Sequence, residues 1–365
     1  MKVKCLKENL SYGLQNVQRA ISSKKTLPIL DGILLKTEGN HLVITATDLE
    51  LGIETKIPAE IIEQGEMVVT SGKFIELAKK IPNVSIELIK NNSNLKIHYL
   101  NSEVELKGFN PNEFPLLPNI NDEFSFKIKS KNLNSLIKKT IFASSPDESR
   151  PVFNGSLLNI SNSEIKFVTT DSHRLAINNL KTNDENNNIN IIIPRKTLNE
   201  IQKIFKDEEE IITIFGNNKQ VCFINSDTKI ISRIIDGKFP NFDQVIPKSF
   251  QTTIKVNKKD FLETIERASL FVDSVDNLSI VKLFITDSNI NITSISETGF
   301  INENLNAYVH GDKLEISFNS RYLIEALKII ETDDIEFKFS GSLSPAIIKE
   351  TNDSYTYLVL PLRTS

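Results

Sequence analysis

Cysteine is nearly absent: Cys5 and Cys222 are the only two among 365 residues. Two thiols cannot staple a chain of this length, which excludes a disulfide scaffold. Both read as reduced, and that predicts a cytosol-like compartment. Long apolar runs are missing too. No stretch approaches the roughly 18 residues of a membrane span, and the leading MKVKCLKENLSYG has no apolar segment of a secretory leader. Histidine is scarce, and His41, His98, His173 and His310 are scattered without metal-ligand spacing. No GxxxxGK[ST] or GxGxxG occurs, and Gly72-Lys73 alone does not make a phosphate loop. Helix-turn-helix, zinc-finger and basic-zipper signatures are absent as well. An excess of positive charge is also lacking. Lys and Arg number 43 against 47 Asp and Glu, a formal net charge of −4. Taken alone, that balance argues against a nucleic-acid partner.

What is present is core material and a repeat. With 39% hydrophobic and 25% charged residues the chain is ordinary globular stock. Its length predicts two or three domains at about 100–200 residues each. Three segments match one another: KVKCLKENLSYGLQNVQRAI, SFKIKSKNLNSLIKKTIFAS and TTIKVNKKDFLETIERASLF. Each is a short alternating strand followed by a helical pattern, with Leu10, Leu133 and Phe261 leading and Leu14, Ile137 and Ile265 four residues later. Gly32 and Gly155 lie 123 residues apart, as do Asp48 and Asp171. A second helix recurs in SGKFIELAKKI, PRKTLNEIQKIF and NSRYLIEALKII, anchored by Phe74, Leu198 and Leu323. Each repeat divides again into two strand–helix–strands halves, so the chain reads as six copies of one β-α-β-β-β-like unit. Proline-punctuated stretches, Phe114 to Pro118 and Phe239 to Pro247, read as linkers. The expected fold class is therefore α+β. Three structurally repeated domains, 1–121, 122–249 and 250–365, each lay two helices on one face of antiparallel sheets.

Charge is partitioned along this pattern. The six helical stretches (6–20, 70–82, 130–143, 194–206, 257–271 and 319–330) sum to +10, leaving −14 on the remainder. Lys79, Lys203 and Lys328 occupy one slot, five residues after the anchor of each second helix. Lys138 and Lys139 on the first helix of the middle repeat and Lys196 on its second add to the basic helical charge. A basic helical face suits phosphate contacts, and without a base-reading motif such contacts carry no sequence preference. Solvated lysines on ordinary surface helices are the competing reading. Packed helices lie ~8–10 Å apart, with a radius of ~5 Å including side chains. A closed ring of six would leave a hole of only ~7 Å, and one of twelve roughly 24 Å, enough for a duplex about 20 Å wide. A ring around DNA therefore needs two chains joined head to tail.

Several motifs go further: TLPILDGILL (26–35), ATDLELG (46–52), DESRPVFNG (147–155), TTDSHRLA (169–176), DGKFPNFDQVIP (236–247) and the terminal YLVLPLR (357–363). With them the chain resembles the bacterial sliding clamp family, the beta subunit of DNA polymerase III, over its whole length. The resemblance implies the DNA clamp fold and a head-to-tail dimeric ring with twelve helices lining the hole. It implies a processivity factor that encircles double-stranded DNA without sequence preference and tethers the replicative polymerase alpha subunit. The clamp loader, repair polymerases and mismatch-repair proteins are the further partners implied. No catalytic role, cofactor, metal or membrane partner is expected, and the implied location is cytoplasmic, on the nucleoid.

Partners of the family insert a short peptide, usually with Gln and hydrophobic residues, between the second and third domains. The matching positions here are Phe153, Thr170, His173, Arg174, Leu175, Pro240, Val245, Leu358, Val359, Leu360, Pro361, Leu362 and Arg363. Ser172 stands where Gly is usual, Gln244 where a basic residue often sits, and Thr364-Ser365 replaces the commoner single apolar end. An apolar strand at a chain end, where fraying is the rule, is the kind of element that serves a peptide groove. The same leucines could instead finish the third domain's core. For the ring interface the resemblance points to Val104 and Leu106 against Leu270 and Phe271. The adjacent pair Leu270-Phe271 cannot both face one helical stripe, although two ordinary core residues remain the alternative. For DNA it points to Lys24, Lys25, Lys73 and the loop Asp147–Val152 with Arg150, whose acidic Asp147 and Glu148 would not attract phosphate.

Three rival classes differ. An enzyme could use Asp48, Asp171 and His173, but the two aspartates are repeat equivalents and read as turn formers after a strand. A sequence-specific regulator would need a motif the chain lacks. A basic-faced scaffold could bind DNA without forming a ring.

Overall fold

The structure, a computed structural model, describes residues 1–22, 27–182, 188–272, 279–350 and 354–363. Lys24, Lys25, Thr364 and Ser365 lie outside the described residues. Among the described residues there are six α-helices, one per half-repeat: α1 (Lys7–Val17), α2 (Ser71–Lys80), α3 (Ser130–Lys138), α4 (Arg195–Ile204), α5 (Lys258–Ala268) and α6 (Ser320–Leu327). Each follows one strand and precedes three, so the β-α-β-β-β order recurs six times, with Glu60–Glu63 and Tyr308–Gly311 as added short strands. No helix among the described residues is long and apolar enough to cross a membrane.

The helices are set by their apolar stripes. α1 buries Leu10, Leu14 and Val17, and α2 buries Phe74, Ile75 and Ala78. α5 buries Phe261, Ile265 and Ala268, and α6 buries Leu323, Ala326 and Leu327. Each buried Leu, Ile, Val or Phe side chain among these contributes about 1.5–3 kcal/mol. Asn257 and Asn319 cap α5 and α6, their side-chain oxygens accepting from the Asp260 and Arg321 amides. Gly13 lets α1 approach its sheet, since a Cβ there would lie 2.7 Å from the Ile44 Cδ1.

By packing, the chain divides into two compact units, Met1–Lys131 with Asn199–Ile234, and Asn132–Leu198 with Ile235–Ser365. Three repeats give two units because sheets run on from one repeat into the next. In the first unit Leu51–Pro58 pairs with Thr228–Arg233 of the middle repeat, within a 13-stranded sheet. In the second, Arg174–Lys181 of the middle repeat pairs with Tyr355–Val359 of the last, within a nine-stranded sheet. A four-stranded sheet completes the second unit, in the order Gly299–Asn306, Asn289–Ser296, Ile280–Ile285, Leu314–Asn319. All strand pairings described are antiparallel, as short repeated strands joined by turns require.

Cys5 and Cys222 are free and buried. Burial pushes both thiols up to about 12, so they stay protonated and inert near neutral pH.

Candidate functional site: an apolar pocket, an open strand edge and helix-borne cations

The pocket is built on a turn that the chain uses twice. After the strand His41–Thr47, the Asp48 Oδ1 accepts from the Glu50 and Leu51 amides at 3.0 and 2.7 Å. After Glu164–Thr170, the Asp171 Oδ1 accepts from the His173 and Arg174 amides at 2.9 and 3.1 Å. Both aspartates are thus turn formers. Leu49 and Ser172, in the equivalent slots, have φ of 76° and 77°. This left-handed region favours glycine over serine. Ser172→Gly is accordingly expected to raise stability by about 1 kcal/mol in urea denaturation. An unchanged midpoint would mean that the turn carries no strain.

The two turns diverge at their fourth residue. In the first repeat it is Leu51. In the middle repeat it is Arg174, whose Nε donates to the second Asp171 oxygen at 2.9 Å. The Arg174 guanidinium also donates to Glu325 of α6 and, at 2.9 Å, to the Phe142 carbonyl. Its planar face lies 4.4 Å from the Tyr322 ring centroid. Glu325 in turn accepts from the Arg321 Nε at 2.7 Å. Burial alone would raise the Glu325 carboxyl pKa, but the hydrogen bonds and charges of Arg321 and Arg174 outweigh it and hold it below the usual carboxylate value. Arg174 is therefore a locked floor, fixed by charge on two sides and by an aromatic ring.

Above that floor lies a cavity of about 240 Å³, lined by Phe153, Thr170, Ser172, His173, Arg174, Leu175, Pro240, Asn241, Phe242, Val245, Leu358 and Leu360. A small apolar cluster backs it, with Leu157, Val168, Ile192, Phe239 and Ile347 buried behind Leu175 and Leu358. The C-terminal segment is held in place by its Leu360 amide, which donates to the His173 carbonyl at 2.9 Å. Nine of the thirteen expected residues meet here: Phe153, Thr170, His173, Arg174, Leu175, Pro240, Val245, Leu358 and Leu360. Val359 is a correction. Strand alternation turns it to the opposite face, fully buried in the core with Tyr355 and Tyr357. Pro361, Leu362 and Arg363 do not line the cavity. The Leu362 amide is taken by the Ser317 carbonyl at 2.8 Å. Phe242 and Asn241 were missed because the proline-rich stretch reads as a linker; its own apolar residues were the available signal.

In the strand Ser102–Phe109, residues 102–107 pair with Asn94–Tyr99, and only Gly108 and Phe109 pair on its other side. Residues 102–107 are thus an open edge among the described residues. Val104 and Leu106 face Ile97 and Leu95 on that strand pair and are partly exposed. In the second unit Leu270 is 76% exposed, while Phe271 packs its ring beside Gly299. Gly299–Asn306 is also an edge strand, and Ile295 and Phe300, opposite one another, are 77% and 72% exposed. These last two were not foreseen; the alternating run around them reads equally well as core.

The cations expected to meet phosphate divide. Lys73, Lys79, Lys138, Arg150, Lys196, Lys203 and Lys328 are exposed. Lys139 is not. It is 6% exposed, and its Nζ donates to both Glu350 oxygens at 2.8 Å. It lies one residue past the end of α3, where the helical period no longer places it outward. Lys24 and Lys25 fall outside the described residues. Near Arg150, hydrogen bonds from the Ser149 amide and hydroxyl hold the Asp147 carboxyl below its ordinary pKa. Among the described residues no group of three or more His, Cys, Asp and Glu could hold a metal ion.

Comparison with known proteins covers the whole chain. Residues 1–118, 127–241 and 243–363 match the N-terminal, central and C-terminal domains of the DNA polymerase III beta subunit. The chain is 37% identical over 363 residues to the beta sliding clamp of Staphylococcus epidermidis, covering 96% of each. Among solved structures it is similar to the DNA polymerase sliding clamp of Bacillus subtilis, with a TM-score of 0.97 and 34% identity over all of both chains. It is also similar to a sliding clamp of Pseudomonas aeruginosa bound to griselimycin, with a TM-score of 0.96 and 26% identity, again over all of both chains.

Proposed function

The chain belongs to the bacterial beta sliding clamp family, the non-catalytic beta subunit of DNA polymerase III and its processivity factor, and we propose that two copies close head to tail into a ring around duplex DNA. Its domains are 1–121, 122–249 and 250–365. The open edge 102–107 with Val104 and Leu106 meets the region of Leu270 and Phe271 on the partner. The basic helices face DNA, where they contact phosphate without reading bases. The pocket over Arg174 takes a short peptide with Gln and hydrophobic residues. Through it the ring holds the replicative polymerase alpha subunit, the clamp loader, repair polymerases and mismatch-repair proteins, in the cytoplasm on the nucleoid.

The observation that carries the pocket reading is the convergence of nine expected residues on one apolar cavity with a fixed charged floor. An apolar groove with a few polar fixers anchors such peptides. The ring reading is supported by an open strand edge and by Leu270, an apolar side chain left in water. Leu270→Asp tests it. Sedimentation equilibrium of the unaltered protein is expected to give twice the 41.2 kDa chain mass, and the variant a single chain. A variant that stays dimeric would place the interface elsewhere.

A further inference from the structure

The slot lysines are not free cations. Lys79 holds Glu76 at 3.0 Å and Lys203 holds Glu200 at 2.8 Å, each an i,i+3 pair on its own helix. In the last repeat the corresponding acid is Glu325, which is drawn away to Arg174 and Arg321. Lys328 nevertheless has a carboxylate, Glu266 of the neighbouring α5, at 2.8 Å. The supply of acid differs and the pairing persists. One isolated surface pair would carry no argument; three at one repeated slot, one of them by a different route, do.

We propose that Glu76, Glu200 and Glu266 are counter-charges that keep the slot lysines only weakly available to phosphate, so that the protein slides on DNA rather than gripping it. The inference rests on the reading that these helices face DNA. Each lysine exchanges one partner for another: as a phosphate passes, the ammonium leaves its carboxylate, and as the phosphate moves on, the carboxylate takes it back. Both partners are oxyanions, so each exchange trades one charge-assisted contact for another, and no position along the duplex is a deep trap. Glu76 is suited to this, since the hydrogen bond and charge of Lys79 lower its pKa and keep it ionised. Glu200 is the least exchangeable of the three, because Arg19 also holds it at 2.8 Å.

Glu76→Gln with Glu266→Gln tests the proposal on the full-length protein and leaves the packed Glu200 intact. The probe is a fluorescein-labelled blunt duplex of random sequence, read by anisotropy across a salt series. Removing the two acids is expected to tighten binding at low salt by about 2-fold per freed lysine, or roughly sixteen-fold for the four in a two-chain ring. It is expected to steepen the dependence of affinity on salt. Rings loaded on long DNA are expected to diffuse more slowly in single-molecule tracking. Unchanged affinity and diffusion in this variant would overturn the proposal. Lys79→Gln with Lys328→Gln separates the two layers of the argument. If these lysine variants weaken binding while the glutamate variants do nothing, only the counter-charge idea fails. If the lysine variants also do nothing, the helices do not face DNA, and both readings fall together.

Discussion

Arg174→Ala is expected to abolish peptide binding and to cost about 3–5 kcal/mol of stability, the range for removing one partner from a buried ion-pair network. The loss leaves Asp171 and Glu325 without their shared cation and the Phe142 carbonyl without its donor. Lysine cannot restore the arrangement, because its single ammonium does not reproduce a fork that reaches three acceptors. Fluorescence anisotropy with a labelled Gln- and Leu-containing peptide reads the first effect, and urea denaturation the second. The effect also has a pH signature. The Glu325 carboxyl is held below its unfolded value, so its contribution is fully present above the unfolded carboxylate pKa, ~4.3. It is lost as pH falls through the lower folded value. The stability gap between the native protein and Arg174→Ala is therefore expected to narrow in acid. A gap that widens in acid, or a variant that binds peptide normally, would remove Arg174 from the pocket floor.

Glu350→Ala is expected to destabilise the protein by a similar amount, about 3–5 kcal/mol, by leaving the Lys139 ammonium buried without its carboxylate. Both side chains are almost fully inaccessible, at 7% and 1%. The pair joins the end of α3 in the middle repeat to the strand region of the last, within one compact unit. Glu331 offers only a distant second contact at 3.9 Å and is itself exposed, so it does not replace Glu350. Replacing both partners, with Lys139→Met and Glu350→Leu, is expected to recover most of the loss, because an apolar pair of similar shape has no charge to desolvate. Chemical denaturation of the single and double variants checks this. A double variant as unstable as the single would mean that the site depends on shape rather than on paired charge.

Much of this was legible because the chain states it three times. The 3.6-residue period placed all six helices, since their stripes pack on sheets formed by the same repeat and nothing distant overrides them. Asp48 and Asp171 could be read as turn formers because an Asx turn is local: acceptor and donors lie within three residues. The pocket was legible only in part. Leu358 and Leu360 point one way and Val359 the other, a consequence of strand alternation that taking the run YLVLPLR whole obscured. Lys139 turned inward for a reason no local pattern carries. Its partner Glu350 lies 211 residues away, and α3 has already ended. The floor of the pocket is non-local in the same sense, since Tyr322 and Glu325 come from a helix about 150 residues beyond Arg174. The division into two compact units from three repeats was hidden too, because edge-to-edge pairing such as Leu51–Pro58 with Thr228–Arg233 depends on which edges meet, not on the strands themselves.

Retention on DNA tests the central claim most directly. With the proposed clamp loader, the protein is loaded onto a nicked circular plasmid and, in parallel, onto the same DNA linearised, and the bound fraction is followed over time at moderate salt. A ring held by topology is expected to stay on the circle and run off the ends of the linear DNA. Equal loss from both, or equal retention on both, would contradict threading and leave a basic-faced protein that binds DNA by direct contact alone.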